Sequence, residues 1–212
     1  MTAVRDALAA VAEQRSSSPE AAAWLRERIG STGQAFHVAF AAAGRHVGKH
    51  PIGPHDAAII TAAGLLVPAE LGADECARGA LLLAADPDVE LVRGLVRRGE
   101  LRERQAVLRV LAALPEPERF VELAIDACRT NVEGVFRAIA CDNTFPARQF
   151  PDEAFYQLVL KALFTGAPLA RIHDLARRTS PELVRMVAAY ASERRAAGRP
   201  VPDDAKLVTG EP

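Results

Sequence analysis

The sequence predicts an all-α protein, built either as stacked antiparallel helix pairs of the HEAT-like, α-solenoid kind or as an irregular helical bundle. Three observations carry this expectation. Alanine and leucine dominate, aromatics make up only 5% and β-branched runs are few, a composition that closes its core by helix packing. Apolar positions recur at helical spacing almost without break, and no convincing strand pattern appears. Short linkers separate helical stretches of about 10 to 15 residues, the layout of consecutive antiparallel pairs. No clean repeat of fixed period is present, so any repeat is structural and degenerate.

Taken in order, residues 2–15 form an amphipathic segment with Val4, Leu8 and Val11 on one face. Ser18-Pro19-Glu20 starts the next helix, since serine caps and proline suits the first turn; Gly30 stops it after Ile29. A third helix begins at Ser31 or Thr32, carries Phe36, Val38 and Phe40, and ends between Gly44 and Gly48. Residues 48–55, with two glycines and two prolines, are a loop. Asp56–Leu66 is strongly apolar and is expected to be a helix buried on most of its surface. Asp74 is expected to cap a helix ending near Ala85, and Asp86-Pro87 the following one, where Val89, Val92 and Val96 share a face. Glu100–Leu114, Pro117–Cys128 and Asn131–Ala140 follow, with Asn131 read as an N-cap. Beyond a polar loop at 141–148 come Asp152–Phe164, a short helix around Arg171–Arg178, and Pro181–Ala197, whose Ser180-Pro181-Glu182 repeats the earlier start signal. The expected organisation is one helical domain over 1–200 and a loose tail over 201–212, rich in Pro and Asp.

Bulk properties exclude several functions. The 212 residues suffice for a sizeable core. A formal net charge of −1 supplies no global field towards a polyanion, so no nucleic-acid partner is expected. Arg93, Arg97, Arg98, Arg102 and Arg104 form one basic group and Arg171, Arg177, Arg178 and Arg185 another, but each is interleaved with carboxylates that suggest solvated surface pairs. Three cysteines without CxxC spacing point to reduced, buried thiols. The N-terminus lacks a signal-peptide layout, and the longest uncharged apolar run, residues 57–69, is too short to span a bilayer. A soluble, cytoplasmic protein without an integral membrane segment is expected. No phosphate-loop, dinucleotide, HExxH, GxSxG or aspartate-rich box occurs, and neither a cofactor nor a metal is expected.

Candidate chemistry sits in two loops and one lysine. Arg45-His46-Val47-Gly48-Lys49-His50, with His55, offers three imidazoles in a spacing that fits no metal motif; Arg45 and Lys49 are the candidate ligand contacts there. In Cys141–Arg148 a helix end is followed by Asp142, Asn143 and Arg148, side chains able to read a polar head group or to hold neighbouring helices together. No base lies near Cys141 in sequence to activate it as a nucleophile. Lys161, amid Leu158, Val159, Leu160 and Leu163, either snorkels to the surface or points into a pocket.

Several stretches resemble, in combination, the EboA family of bacterial metabolite-traffic proteins. They are Thr130-Asn131-Val132, the turn from Cys141 to Pro146, Phe150, Val159–Phe164, Pro168–Ile172, Pro181-Glu182-Leu183, Tyr190-Ala191 and Glu193–Pro200. The likeness is close over 129–202 and weaker upstream, where Gly48-Lys49 looks like a family pair. Thr144-Phe145 departs from the commoner aromatic-rich turn, and His46 stands where an apolar residue is frequent. The resemblance implies gene clusters that also encode a UbiA-like prenyltransferase, sugar-phosphate-cyclase-like and isomerase-like enzymes and a metal-dependent hydrolase. Such clusters make or move a secondary metabolite, or its precursor, towards the cell envelope. It implies no catalytic residues. The expected function is a non-catalytic binding or scaffold protein for a small lipophilic or polyol-like metabolite or for enzymes of the same cluster, with Asn143, Arg148, Lys161, Asp142, Lys49 and Arg45 as anchors. The alternative is an enzyme of an unrecognised class using the Cys141–Arg148 loop and Lys161.

Overall fold

The computed structural model describes residues 2–210, and among them every regular element is helical. The last two residues of the expected tail lie outside the described residues. One isolated bridge pairs Pro51 with Gly72. The chain divides into two compact units, the first ending at Leu123 and the second beginning at Ala124.

In the first unit, α1 (Thr2–Gln14), α2 (Pro19–Arg28), α3 (Gly33–His46) and α4 (Pro54–Ala62) precede α5 (Ala73–Ala84), α6 (Val89–Arg98) and α7 (Leu101–Val110). Ser18 caps α2 by accepting from the Ala21 N–H. The centre of this unit is α5, buried at every position from Ala73 to Leu83 and packed by α1, α3 and α7. Gly79 permits that approach: a Cβ there would lie 3.0 Å from both Leu8 Cδ1 and Val110 Cγ1. Phe36 and Phe40, one helical turn apart on α3, are buried with ring centroids 5.4 Å apart. Each such burial stabilises by about 1.5–3 kcal/mol. Val38 lies on the opposite face and is 58% exposed.

Three expectations fail here. The apolar run after Asp56 ends as a helix at Ala62 and buries only Asp56 and Ile60; the fully buried helix is α5, which the sequence marks less clearly because it contains charges. Asp74 caps nothing. Gly72 holds the N-cap position and Asp74 points into an ion cluster. The cap of α6 is Asp88, which accepts from Leu91 N–H, rather than Asp86.

From the end of the first unit, α8 (Val121–Cys128) leads into the second, which holds α9 (Glu133–Ala140), α10 (Phe145–Gln149), α11 (Asp152–Thr165), α12 (Leu175–Arg178), α13 (Pro181–Ala196) and α14 (Lys206–Thr209). Its core gathers Phe136, Phe145, Phe155, Val159, Leu183 and Val187. Ser180 caps α13 through Leu183 N–H and bonds the Tyr156 hydroxyl at 2.7 Å, which fixes the start of α13 against α11. The N-cap of α9 is Val132; Asn131 lies just outside it. The tail is not loose over 203–210. Ala205 and Val208 are buried, and the Asp204 carboxylate accepts from Leu169 N–H at 2.7 Å.

Candidate functional site

The polar loop closes on itself. Asn143 is buried, donates Nδ2 to Ala138 O at 2.9 Å and accepts from Phe145 N–H at 2.9 Å. The second bond forms an Asx turn that launches α10. Asp142 takes a left-handed φ of 46°, which aspartate tolerates better than most residues. Its Oδ2 accepts from Arg171 Nε at 2.7 Å and Nη2 at 2.5 Å, and its N–H donates to Arg171 O at 2.8 Å. Cys141 is 1% exposed. Asp142 and Asn143 are thus committed to holding the turn against α9 and the 169–171 segment, and the thiol between them and α9 is out of reach of solvent.

Lys161 on α11 is half-buried. Its ammonium donates to Cys128 O at 2.5 Å and Thr130 O at 2.6 Å, capping the carbonyl end of α8, and lies 5.0 Å from the centroid of the Phe136 ring. An ammonium has three donors, so one N–H remains. Lys161 and Gln157 also stand between two cavities, lining both.

The larger cavity, about 850 Å³, is a groove between the start of α9, α11 and α13. Its apolar wall comes from Phe136, Leu160, Phe164 and Met186, and Phe164 is 72% exposed. Gln157, Lys161, Arg185, Tyr190 and Glu193 supply the polar atoms. The Tyr190 ring forms part of the wall, and its hydroxyl is buried, with no hydrogen-bond partner among the described residues. The smaller cavity, about 600 Å³, is lined by Cys128, Phe150 and Leu158 with Glu153 and Arg129 at its polar edge. Cys128 is buried and its thiol is pushed up to about 12 by burial, so it is a wall and not a nucleophile.

The remaining sequence candidates fall elsewhere. Arg148 is exposed on α10 and lines a separate cavity of about 510 Å³. Arg45 and Lys49 are exposed in the first unit, where His46 stacks on Trp24 with ring centroids 4.0 Å apart. Among the described residues no group of three His, Cys, Asp or Glu side chains is placed to hold a metal. Sequence reasoning finds Lys161 but misses Phe164, Met186 and Tyr190 as walls of one groove. Their helical spacing reads equally well as core, and only the packing of α11 beside α13 leaves Phe164 uncovered.

Sequence reasoning also misses a buried ion cluster in the first unit. Asp74 accepts from Arg78 Nη1 at 2.5 Å and from both Nε and Nη2 of Arg102, while Arg109 Nε lies 3.1 Å from Glu75 Oε1. Asp74, Glu75, Arg78 and Arg109 are all buried. Nearby, Arg15 Nε donates at 2.6 Å to Asp56, whose other oxygen bonds nothing among the described residues.

Fold and groove together define a class: an all-helical protein with no helix, among the described residues, long and apolar enough to cross a membrane, and with an open, largely apolar groove edged by a lysine, an arginine and a tyrosine. A family model described as metabolite traffic protein EboA matches residues 4–208, and the chain belongs to that family. No curated protein and no solved structure matches it.

Proposed function

We propose that the chain is a non-catalytic carrier that holds a small amphipathic metabolite, or its precursor, in the groove between α9, α11 and α13. Phe164, Leu160 and Met186 cover the apolar part of the ligand; the remaining Lys161 N–H meets a hydroxyl or carbonyl oxygen. The observation that carries this reading is Phe164, a large aromatic 72% exposed at the mouth of a groove that the Lys161 ammonium edges. Apolar walls with a few placed polar groups are the usual anatomy of a small-molecule site. The family description, metabolite traffic, fits a role in delivery. Buried thiols without a disulfide suit a cytoplasmic location. Cluster enzymes that make or consume the ligand are the natural partners of such a carrier.

Native mass spectrometry of the protein purified from its own host tests this. A stoichiometric added mass, lost in Phe164→Glu without a change in melting temperature, is the expected result. A bare protein that retains pathway enzymes would move the reading to a scaffold. A bare protein without partners would sink the carrier. Should the retained compound be converted on incubation, the enzyme alternative takes its place; the buried Cys128 and Cys141 thiols, the Asp142 carboxylate paired with Arg171 and the Asn143 amide bonded to backbone speak against it.

A further inference from the structure

Two features that stand apart in the sequence share one cavity. Arg148 comes from the polar loop, on α10; Arg177 and Arg178 come from the second basic group, on α12, with His173 and Asp174 in the turn before it. Asp174 is in the left-handed region at φ 53°, the bend by which the chain turns from His173 into α12. Arg178 then straps the two segments together. It donates to Ala147 O at 2.7 Å, Phe150 O at 3.0 Å and Asp152 Oδ1 at 2.9 Å, and its guanidinium carbon lies 4.6 Å from the Phe155 ring centroid. The strap holds the backbone next to Arg148 against the end of α12, so folding sets the backbone positions from which Arg148 and Arg177 reach the cavity.

Charge in the cavity is unbalanced. Three other arginines of this unit sit on carboxylates: Arg171 on Asp142 at 2.5 Å, Arg185 on Glu182 at 2.6 Å and Arg137 on Glu133 at 2.8 Å. The Arg148 side chain has no hydrogen bond or ion pair among the described residues, and Arg177, 83% exposed, has only a loose contact with Asp174 at 3.6 Å. His173 Nε2 shares that same carboxylate at 3.5 Å. One carboxylate therefore faces two under-used guanidinium groups and an imidazole, around a space of about 510 Å³. Planar guanidinium forks match the oxygens of a phosphate, which they grip in pairs.

We propose that this cavity binds a phosphate group, carried by a phosphorylated metabolite or by a lipid head group. Arg148 and Arg177 contact the phosphate, and Arg178 is a positioning residue. The site is independent of the apolar groove, and either can fail without the other.

Isothermal titration with inorganic pyrophosphate tests the site on the full chain. Arg148→Ala and Arg177→Ala, both exposed and both expected to melt as the wild type does, should each raise Kd about tenfold. Arg148→Lys, which keeps charge but not the fork, should recover part of the loss. Arg199→Ala, an exposed arginine of the same unit away from the cavity, should leave Kd unchanged. Absence of binding at millimolar pyrophosphate, or equal weakening by Arg199→Ala, overturns the proposal. Cosedimentation with phosphatidylcholine vesicles containing phosphatidic acid separates the two sources. Sedimentation that depends on Arg148 and Arg177 assigns the phosphate to a lipid, and pyrophosphate binding without sedimentation assigns it to a soluble ester.

Discussion

The two units spend their charged residues in opposite ways. The first turns them inward: Asp74, Glu75, Arg78 and Arg109 are buried around α5, and Arg102 reaches in to join them. The second sets several of its cations at the edges of cavities, where Lys161, Arg185, Arg148 and Arg177 border open space. A buried cluster in which each charge answers another defines a scaffold and offers little to a ligand. A cavity edge with donors left over offers contacts and little stability. The contrast teaches that the number of charges does not locate function here; the residual hydrogen-bonding capacity does.

The sharpest way to break this contrast is to remove the hub of the inward cluster. Asp74→Ala leaves two guanidinium groups without their carboxylate, one of them buried, and should cost about 3–5 kcal/mol by urea unfolding. A loss under 1 kcal/mol would mean that the cluster is solvated in solution and that the two units do not differ as described. Next in size is Asn143→Ala in the second unit. It strips the acceptor from Phe145 N–H and the donor from Ala138 O in a buried turn, a loss of about 1–3 kcal/mol. Asn143→Asp keeps the acceptor and should recover part of it. Ligand retention that disappears in Asn143→Ala while stability holds would return the loop to the role of a binding site.

The same contrast explains what the sequence reveals. Ser18 and Ser180 are legible as caps because their bonds are local, to residues three positions on. The helices around them are legible for the same reason. The Asp74–Arg102 pair spans 28 positions and the Arg148 cavity joins α10 to α12, so neither leaves a local pattern. Asp74 sits in a place where a cap is common, and only the Gly72 backbone geometry shows that the cap lies two residues earlier. Lys161 is legible as an oddity in an apolar helix. Its partners, the carbonyls of Cys128 and Thr130, belong to a helix end more than 30 residues away.

Lys161 is itself a test of how far the second unit departs from the first. Lys161→Met fills similar volume but leaves the carbonyls of Cys128 and Thr130 unanswered, and should cost about 1–2 kcal/mol, less than Asp74→Ala, since the site is half-exposed. It should also weaken retention of the groove ligand in native mass spectra. Lost stability with unchanged retention would make Lys161 a helix cap only, and would assign the polar end of the ligand to another polar side chain of the groove, such as Gln157.

The smallest expected effect is a dependence on pH inside the buried cluster. Burial pushes the Glu75 carboxyl above its usual range against the pull of Arg109 and Arg102. Burial pushes Asp74 the same way, but the guanidinium groups of Arg102 and Arg78 outweigh it and hold that carboxyl below its usual range. The geometry accounts for the split. Asp74 is gripped by hydrogen bonds from both arginines, whereas Glu75 Oε1 faces Arg109 at 3.1 Å without forming one. The signs are opposite. Stability from a raised carboxyl is complete below its unfolded value, about 4.3 for glutamate, and is lost as pH rises through the folded value; stability from a lowered one is present above about 3.9 for aspartate and is lost as pH falls through the folded value. Wild type should therefore lose ground to Glu75→Gln as pH rises from about 4.3 through the folded value of Glu75, and the two should fall together at the acid end, where Asp74 protonates in both. Urea unfolding of both proteins across that range, read as the difference between the curves, cancels every group they share. A difference that stays constant with pH would show that Arg109 satisfies Glu75 as fully as Arg102 satisfies Asp74, and that the inward cluster holds no strained member.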